Sequence, residues 1–416
     1  MNIWIFNHYA VPPDVPGITR HYDFSRELQK RGHRVTIFAA GFNHLTRRDE
    51  RLQGGQCYRK ETLNNVDFVW VKSTPYYKGN DWRRALNMLS YAFSVILPGI
   101  KLKPGPDIII ASSPHPFSGL AGYFLAKLKR AGFFFEVRDL WPETLVEIGG
   151  YDRNSLIVKF LKIIEKFLYR RAGKIIVLHP KASDYITGLG IRVDKITYIP
   201  NGISLEIMGN ASSGPPEKIK TLISGLKTDR KVILGYTGAH GVVNTLNTAL
   251  EAMRLLKQNG YSGVHLIMVG SGTEKPKLVE KAQEWHLDNV TFLEPVPKNN
   301  IPGLLKAMDA GIITTKKTGL YKYGTSINKL YDYMAAPMPV IWAADVAEDP
   351  VLAAECGITV PPEDPEALAN AIMRLCNMDE DTLRQMAMRG YDYVMKYHSI
   401  PVLVEQLLGL IRAEVV

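Results

Sequence analysis

The run Phe133–Glu143, FFFEVRDLWPE, constrains the fold more than any other stretch of the chain. Three consecutive aromatics cannot all face water, so Phe133–Val137 is expected as a buried strand. The run then meets a charged pair, Arg138-Asp139, followed by Trp141-Pro142-Glu143. In a doubly wound α/β sheet, ligands bind just beyond the carboxyl ends of such strands. Pro142 suits the first turn of a following helix, and Asp139 suits the end of the loop before it. The segment thus delivers charges and a large aromatic to the place where such folds do chemistry. The competing reading is a capped helix with surface charges.

The rest of the chain repeats this layout. Short apolar runs alternate with amphipathic ones, as βα repeats do. Further strands are expected at Ile3–Phe6, Val35–Ala39, Phe68–Val71, Ile108–Ala111, Ile175–Leu178 and Ile196–Ile199. Helical patterns separate them at Thr19–Arg31, Trp82–Leu97, Gly119–Arg130, Ser155–Arg171 and Ala182–Thr187. Gly209–Pro216, GNASSGPP, reads as a linker. A second series of strands follows at Val232–Tyr236, His265–Val269, Val290–Leu293, Gly311–Thr314 and Pro339–Trp342. The expected class is α/β: two Rossmann-like, doubly wound domains facing across a cleft. Their expected bounds are 1–205 and 217–396, joined by a linker at 206–216. A last helix within 397–416 is free to pack back on the first domain.

Length and charge agree with this division. A chain of 416 residues suits two domains at roughly 100–200 residues each. The formal net charge of +10 favours anionic partners: nucleotides, phosphorylated substrates or a membrane surface. No RNA- or DNA-binding signature accompanies the charge, so nucleic acid is not expected. Cys57, Cys356 and Cys376 have neither metal-ligand spacing nor a disulfide framework, which points to a reducing compartment. The opening MNIWIFNHY reads as a first strand and not a signal peptide. No apolar run approaches the ~20 residues needed to span a bilayer. A cytoplasmic protein is expected, either free or held on the inner face of the membrane.

Four loops carry the candidate chemistry. Asn7–His21 holds His8, three prolines and Gly17, then Thr19, Arg20 and His21 open a helix. Helix starts attract anions, and Arg20 adds a planar cation. There is no G-x-G-x-x-G, which argues against a dinucleotide fingerprint and a nicotinamide oxidoreductase. Ser112–Gly119, SSPHPFSG, sets His115 between two prolines beyond a strand. Gly235–Asn244, GYTGAHGVVN, surrounds His240 with glycines. Glycine lets a ligand approach the backbone, and His240 offers a hydrogen bond or a positive charge. Tyr321–Ala336, YKYGTSINKLYDYMAA, turns at Gly324, Thr325 and Ser326 and enters a helix near Ile327 or Asn328. Lys329 then lies in the first turn beside free N–H groups, an anion site made by backbone and side chain together. Asp332 follows one turn later near the face of Asn328, placed to accept hydrogen bonds from a ribose diol. Each loop also has a plain structural reading: a shaped turn, a capping histidine, a glycine-rich join, a surface ion pair. A fifth feature is Ser155–Arg171, where Lys159, Lys162, Lys166 and Arg170 share a face opposite a broad apolar one. It suits either a solvated outer helix or a surface lying on anionic lipid.

These loops together resemble the retaining glycosyltransferases of family 4, group 1, of GT-B fold. The resemblance spans the chain and rests on NHY near the start, Pro16-Gly17 with Arg20, Arg31-Gly32-His33-Arg34-Val35, SSPHPF, FEVRDLWPE and SINKLYDYMA. It is nearest to a bacterial surface-polysaccharide branch that includes the L-fucosamine transferases. The resemblance implies a nucleotide-diphosphate sugar, with uridine the expected base, held mainly by the second domain. Asp332 matches the second acid of the family's Glu-x7-Glu signature, and Gly324 stands where the first would be. Ala239 and Asn244 occupy the places of the family's phosphate-binding Arg and Lys, which leaves Lys329 as the leading phosphate ligand. Arg138-Asp139 replaces a His-Asp pair.

The implied donor-binding set is Gly17, Gly238, His240, Gly324, Thr325, Ser326, Asn328, Lys329 and Asp332. The implied acceptor set is His8, Arg20, His21, Trp141 and Glu143, with Arg138, Asp139, His115 and Lys329 as catalytic groups. No metal and no other cofactor are expected. The acceptor implied is a lipid-linked saccharide at an anionic membrane surface, reached by closure of the two domains. A sugar-nucleotide 2-epimerase of similar fold, and an inactive nucleotide-sugar-binding subunit, are the alternatives.

Overall fold

A computed structural model describes residues 1–15, 17–77, 82–209 and 214–415. The chain divides into two compact units, Met1–Asn201 with Ile400–Val416, and Gly202–Ser399. The linker expected at 206–216 overlaps a helix, Leu205–Gly209, and its residues 210–213 lie outside the described ones, as does Pro16.

The first unit is built on an eight-stranded sheet. Its strands are β1 (Asn2–Phe6), β2 (Arg34–Ala40), β5 (Tyr58–Leu63), β6 (Val66–Val71), β7 (Ile108–Ser112), β8 (Gly132–Val137), β9 (Lys174–Val177) and β10 (Ile196–Tyr198). A separate small hairpin pairs β3 (Phe42–Asn43) with β4 (Arg48–Asp49). The spatial order is β10-β9-β8-β7-β1-β2-β6-β5. All neighbours are parallel except β5, which runs antiparallel to β6 at the edge. The chain leaves β1 for β2 on one side and later reaches β7 on the other. The β1/β7 boundary is therefore the switch point, where the flanking loops diverge and leave a crevice.

The second unit contains β11 (Val232–Thr237), β12 (Val264–Val269), β13 (Val290–Leu293), β14 (Ala310–Thr314), β15 (Val340–Ala343) and β16 (Gly357–Val360). Their order is β13-β12-β11-β14-β15-β16, all parallel, with the switch point between β11 and β14. Alternate side chains of each strand enter opposite cores, as the period of two requires. Ile233, Ile267, Ile313 and Trp342 join Leu330 and Met334 on one face. Leu234, Leu266, Ile312 and Ile341 join Leu250, Met253 and Ile372 on the other.

The closing helix Ile400–Val415 packs Leu403, Val404, Leu407 and Ile411 into the first unit's core beside Ile3, Ile5 and Leu28. Among the described residues no helix is long and apolar enough to cross a membrane.

Candidate functional site

In the second unit the loops after β11 and β14 meet at the switch point. Lys316 donates its N–H to the Val243 carbonyl at 3.0 Å, and the Thr314 hydroxyl donates to the Asn244 carbonyl. The helix Asn328–Ala335 is held down by Tyr333. Its ring lies where a Cβ on Gly311 would stand, and its hydroxyl accepts the Thr237 N–H at 2.8 Å. The helix start is open: Ile327 sits at the cap position with no side-chain cap bond. A helix start carries the positive end of the helix dipole, which gives this turn anion affinity.

Lys329 reaches across from this first turn to the β11 loop. Its Nζ donates to the Tyr236 hydroxyl at 2.7 Å and to Asn244 Oδ1 at 3.2 Å, and lies 4.1 Å from the Tyr236 ring centroid. The partners are polar but uncharged. Burial therefore dominates, and it pulls the ammonium down to about 7. Gly238 lies beside it with φ +142, and a Cβ there would stand 3.1 Å from the Lys329 Nζ.

His240 differs from its sequence-based reading. Its ring is fully buried against Tyr236 and Phe292, with no hydrogen-bond partner for either nitrogen. Burial first, then the charges of Lys275 and Lys329, depress it to about 4. It is neutral near pH 7 with no anion beside it, which leaves its ring nitrogens as hydrogen-bonding groups. Gly324, at φ +84, occupies a backbone conformation that disfavours any side chain, which suits a glycine at the place of the family's first acid. Thr325, Ser326, Asn328 and Asp332 are half-buried around the same turn.

The β12 loop was passed over in the sequence. A Cβ on Gly270 would fall 1.9 Å from the Gly238 carbonyl oxygen, and one on Gly272 would fall 2.3 Å from that of His240. Gly-Ser-Gly directly after a strand was the signal. These glycines let the β12 loop support the β11 loop backbone to backbone.

In the first unit the switch point is sealed by a buried network. Glu136 near the end of β8 takes the Arg20 Nε at 2.8 Å, His21 Nε2 at 2.6 Å and the Ser112 hydroxyl at 2.7 Å. Asn7 Nδ2 lies 2.7 Å from His21 Nδ1, and Arg20 also donates to the Ile199 and Pro200 carbonyls. Paired cations and hydrogen bonds hold the Glu136 carboxyl well below its usual range despite burial. Arg20 and His21, expected to meet the acceptor, are thus buried and bonded within the protein.

His115 is likewise held within the protein. It caps the helix Pro116–Lys129, its Nδ1 accepting the Ser118 N–H at 3.4 Å, while its Nε2 stands 2.8 Å from His8 Nδ1. Both rings are buried. Burial pushes His115 to about 3 and His8 well down, so neither is a poised acid–base group. Gly17 lies at φ +150, where a Cβ would meet Val11 at 2.5 Å, so its own loop explains it. Glu143 is buried and paired with Arg153 at 2.6 Å and Lys162 at 3.1 Å. The helix it opens, Glu143–Glu147, has Pro142 at its cap position, so Asp139 is not the cap.

What stays accessible is Arg138-Asp139. Both are half-buried, with Arg138 N held 2.8 Å from the Ser113 hydroxyl. The Arg138 Nε is buried with no hydrogen-bond partner, and its charge is felt by His21 and His44. Asp139 acts electrostatically on His179, just beyond β9. His179 was missed, although a histidine directly after an apolar strand is the same signal that marked Arg138. Trp141 lines a small cavity of about 10 Å³ with Ser113, Asp139 and Glu165. Burial pushes the Glu165 carboxyl up to about 8, although the Tyr169 and Tyr185 hydroxyls both donate to it.

The two units match two families in turn. Residues 17–207 match Glycosyltransferase Family 4, and residues 230–378 match Glycosyl transferases group 1. WcaI of Escherichia coli (strain K12), named as a colanic acid biosynthesis glycosyl transferase, is 21% identical over 73% of this chain and 74% of its own. Sucrose-phosphate synthase from Thermosynechococcus elongatus superposes with a TM-score of 0.75 at 19% identity, covering 99% of this chain and 98% of that one. Anabaena HepE, solved with UDP and glucose, gives 0.68 at 15% identity over 99% of each chain. Two parallel, doubly wound units in this order make the chain a member of the group 1 glycosyltransferases of GT-B fold.

Proposed function

We propose that the protein is a retaining glycosyltransferase that moves a hexose or N-acetylated amino sugar from a uridine diphosphate sugar to a lipid-linked saccharide, in bacterial surface-polysaccharide assembly. The observation that carries this reading is the placement of Lys329. One flexible cation lies at the β11/β14 switch point, between an uncapped helix start and the Gly238 turn. A diphosphate seated there gains charge on two sides, from the ammonium and from backbone N–H groups. UDP in HepE supports uridine as the base, and the colanic acid relative supports the polysaccharide context.

In the reaction the bond from the sugar C1 to the diphosphate oxygen breaks. The acceptor hydroxyl oxygen bonds to C1 from the same face, and its proton passes to the departing phosphate oxygen. Lys329 and the Asn328–Lys329 turn stabilise the leaving charge, so this scheme calls for no metal ion. Asp332 receives the ribose diol. Arg138 and Asp139, the half-buried charges just beyond β8, orient the acceptor, and an anionic membrane surface presents it.

The test is a screen of uridine and guanosine diphosphate sugars for thermal stabilisation, then product mass with and without a lipid-linked acceptor. Sugar transfer only with acceptor, with the anomeric configuration kept, is expected. Turnover of the donor alone to an epimer would overturn transfer, and stabilisation without any turnover would make the chain a binding subunit. Lys329→Ala should slow transfer by about two orders of magnitude or more. Normal turnover in that variant removes Lys329 from the scheme.

A further inference from the structure

One face of the first unit's sheet is covered by helices whose outer surfaces are apolar. Trp82–Ser94 packs on Pro116–Lys129, which packs on Leu156–Arg171, and the short helix Ile96–Lys101 joins the first two. On Leu156–Arg171, Val158, Leu161 and Leu168 point inward and are buried. Yet Leu156, Phe160 and Ile163, at i, i+4 and i+7, form an outward stripe, with Leu156 85% and Ile163 69% exposed. Such a helix presents large apolar side chains on its outer side as well as its inner one, which an ordinary solvated helix does not. Its neighbours continue the stripe. Phe124 and Leu128 stand outward one turn apart on the middle helix, and Trp82, Leu86 and Phe93 do so on the next, Phe93 at 76% exposure.

The charge on this face has one sign. The four helices contain a single carboxylate, Glu165, and it is turned inward and buried. Lys159, Arg170 and Lys127 are exposed among the apolar side chains, and Lys162 alone is spent on Glu143. An open depression of about 620 Å³ is lined by Lys166, Arg170 and Arg171 with Ile163 and Phe167. Long basic side chains around large apolar ones match the boundary between lipid headgroups and acyl chains. A second copy of the same face would bring like charges together, which disfavours self-association through it.

We propose that this face docks on an anionic phospholipid bilayer. Phe93, Phe124, Phe160 and Ile163 enter the headgroup–acyl boundary, and Lys159, Lys166 and Arg170 engage lipid phosphates. This deepens the membrane-bound reading above by naming the surface. Its test uses neither donor nor acceptor, so either idea can fail alone.

The experiment is sedimentation of the full chain with phosphatidylglycerol/phosphatidylcholine vesicles and with phosphatidylcholine vesicles, at low and high salt. Binding to the anionic vesicles is expected, lost to neutral ones and weakened by salt. Lys159→Glu with Lys166→Glu should lower it about tenfold or more. Phe160→Ser with Ile163→Ser should lower it comparably and leave the salt dependence in place. Lys159, Phe160 and Ile163 are exposed and Lys166 is half-buried, so circular dichroism and thermal unfolding should match the parent. Failure of the parent to sediment with anionic vesicles at low salt overturns the proposal. So does unchanged binding by the serine pair, or a change in oligomeric state on gel filtration without a change in vesicle binding.

Discussion

The Lys329 Nζ lies 2.7 Å from the Tyr236 hydroxyl, a cation from one side of the second unit's switch point resting on an aromatic from the other. Without an anion, that ammonium is held by neutral partners and titrates near 7. A bound diphosphate favours the charged form and raises its pKa. Above pH 7, nucleotide binding must therefore take up a proton, and affinity should fall as pH rises until the raised pKa is passed. Calorimetry of UDP binding at pH 8, in buffers of different ionisation enthalpy, should show uptake of about one proton. Lys329→Met should abolish the uptake and cost about tenfold or more in affinity. Proton-neutral binding by the parent would show that Lys329 does not meet the diphosphate.

Glu136 makes the opposite kind of prediction, one of stability. It is the one carboxylate shared by Arg20 and His21 at the first unit's switch point. Glu136→Ala leaves a guanidinium buried without its counter-charge, and such losses cost roughly 3–5 kcal/mol. Urea denaturation should show a drop of that order. The pairing also predicts a pH dependence. A folded-state pKa held well below the unfolded one stabilises above the unfolded pKa, and that contribution fades as pH falls toward the folded value. The acid limb of the stability curve should flatten in the variant.

Glu165 carries the reverse sign. Its folded pKa is raised from 4.5 to about 8, so the folded protein holds a proton that the unfolded chain has released. Stability is lost as pH rises between those values. Glu165→Gln keeps an oxygen to accept one of the Tyr169 and Tyr185 hydroxyls, offers its amide N–H to the oxygen of the other, and has no charge to form on unfolding. It should gain roughly 1–3 kcal/mol over the parent at pH 8 and little at pH 4. Thermal melts at the two pH values read the difference directly. Equal gains at both would place the cause in packing and not in ionisation.

These residues mark where sequence reasoning stops. The βα layout and most strands were legible because apolar runs have a length and a period that only buried strands need. β5 was not, since Tyr58–Leu63 is a polar antiparallel edge with little to bury. β16, Gly357–Val360, was also passed over: it is a half-buried edge strand. Arg138-Asp139 and the turn before Lys329 stood out because strand ends and glycine turns are local signals. Arg20, His21 and His115 were placed in the site because they follow the same strand ends. Their true partners lie more than a hundred residues away in Glu136 and His8. A single sequence shows that a charge sits at a sheet edge. It does not show whether a distant carboxylate has already neutralised it.

Gly238 separates strain from function in one position. Its φ of +142 is disfavoured for any residue with a side chain, and an added Cβ would stand 3.1 Å from the Lys329 Nζ and 3.2 Å from its Cε. The lysine end is flexible and can yield, so the steric part is small. The backbone part is not relieved and costs roughly 1–3 kcal/mol. Gly238→Ala should therefore lower stability moderately while moving the amino group off the Tyr236 hydroxyl, so that UDP affinity falls about tenfold or more. Gly188→Ala is the control. That glycine closes a helix, and nothing lies within 4 Å of its added Cβ. It should leave affinity unchanged and alter stability by less than about 1 kcal/mol. Denaturation and calorimetry on both variants decide the matter. If Gly238→Ala binds UDP as the parent does, the β11 loop is a structural turn and the diphosphate is held elsewhere.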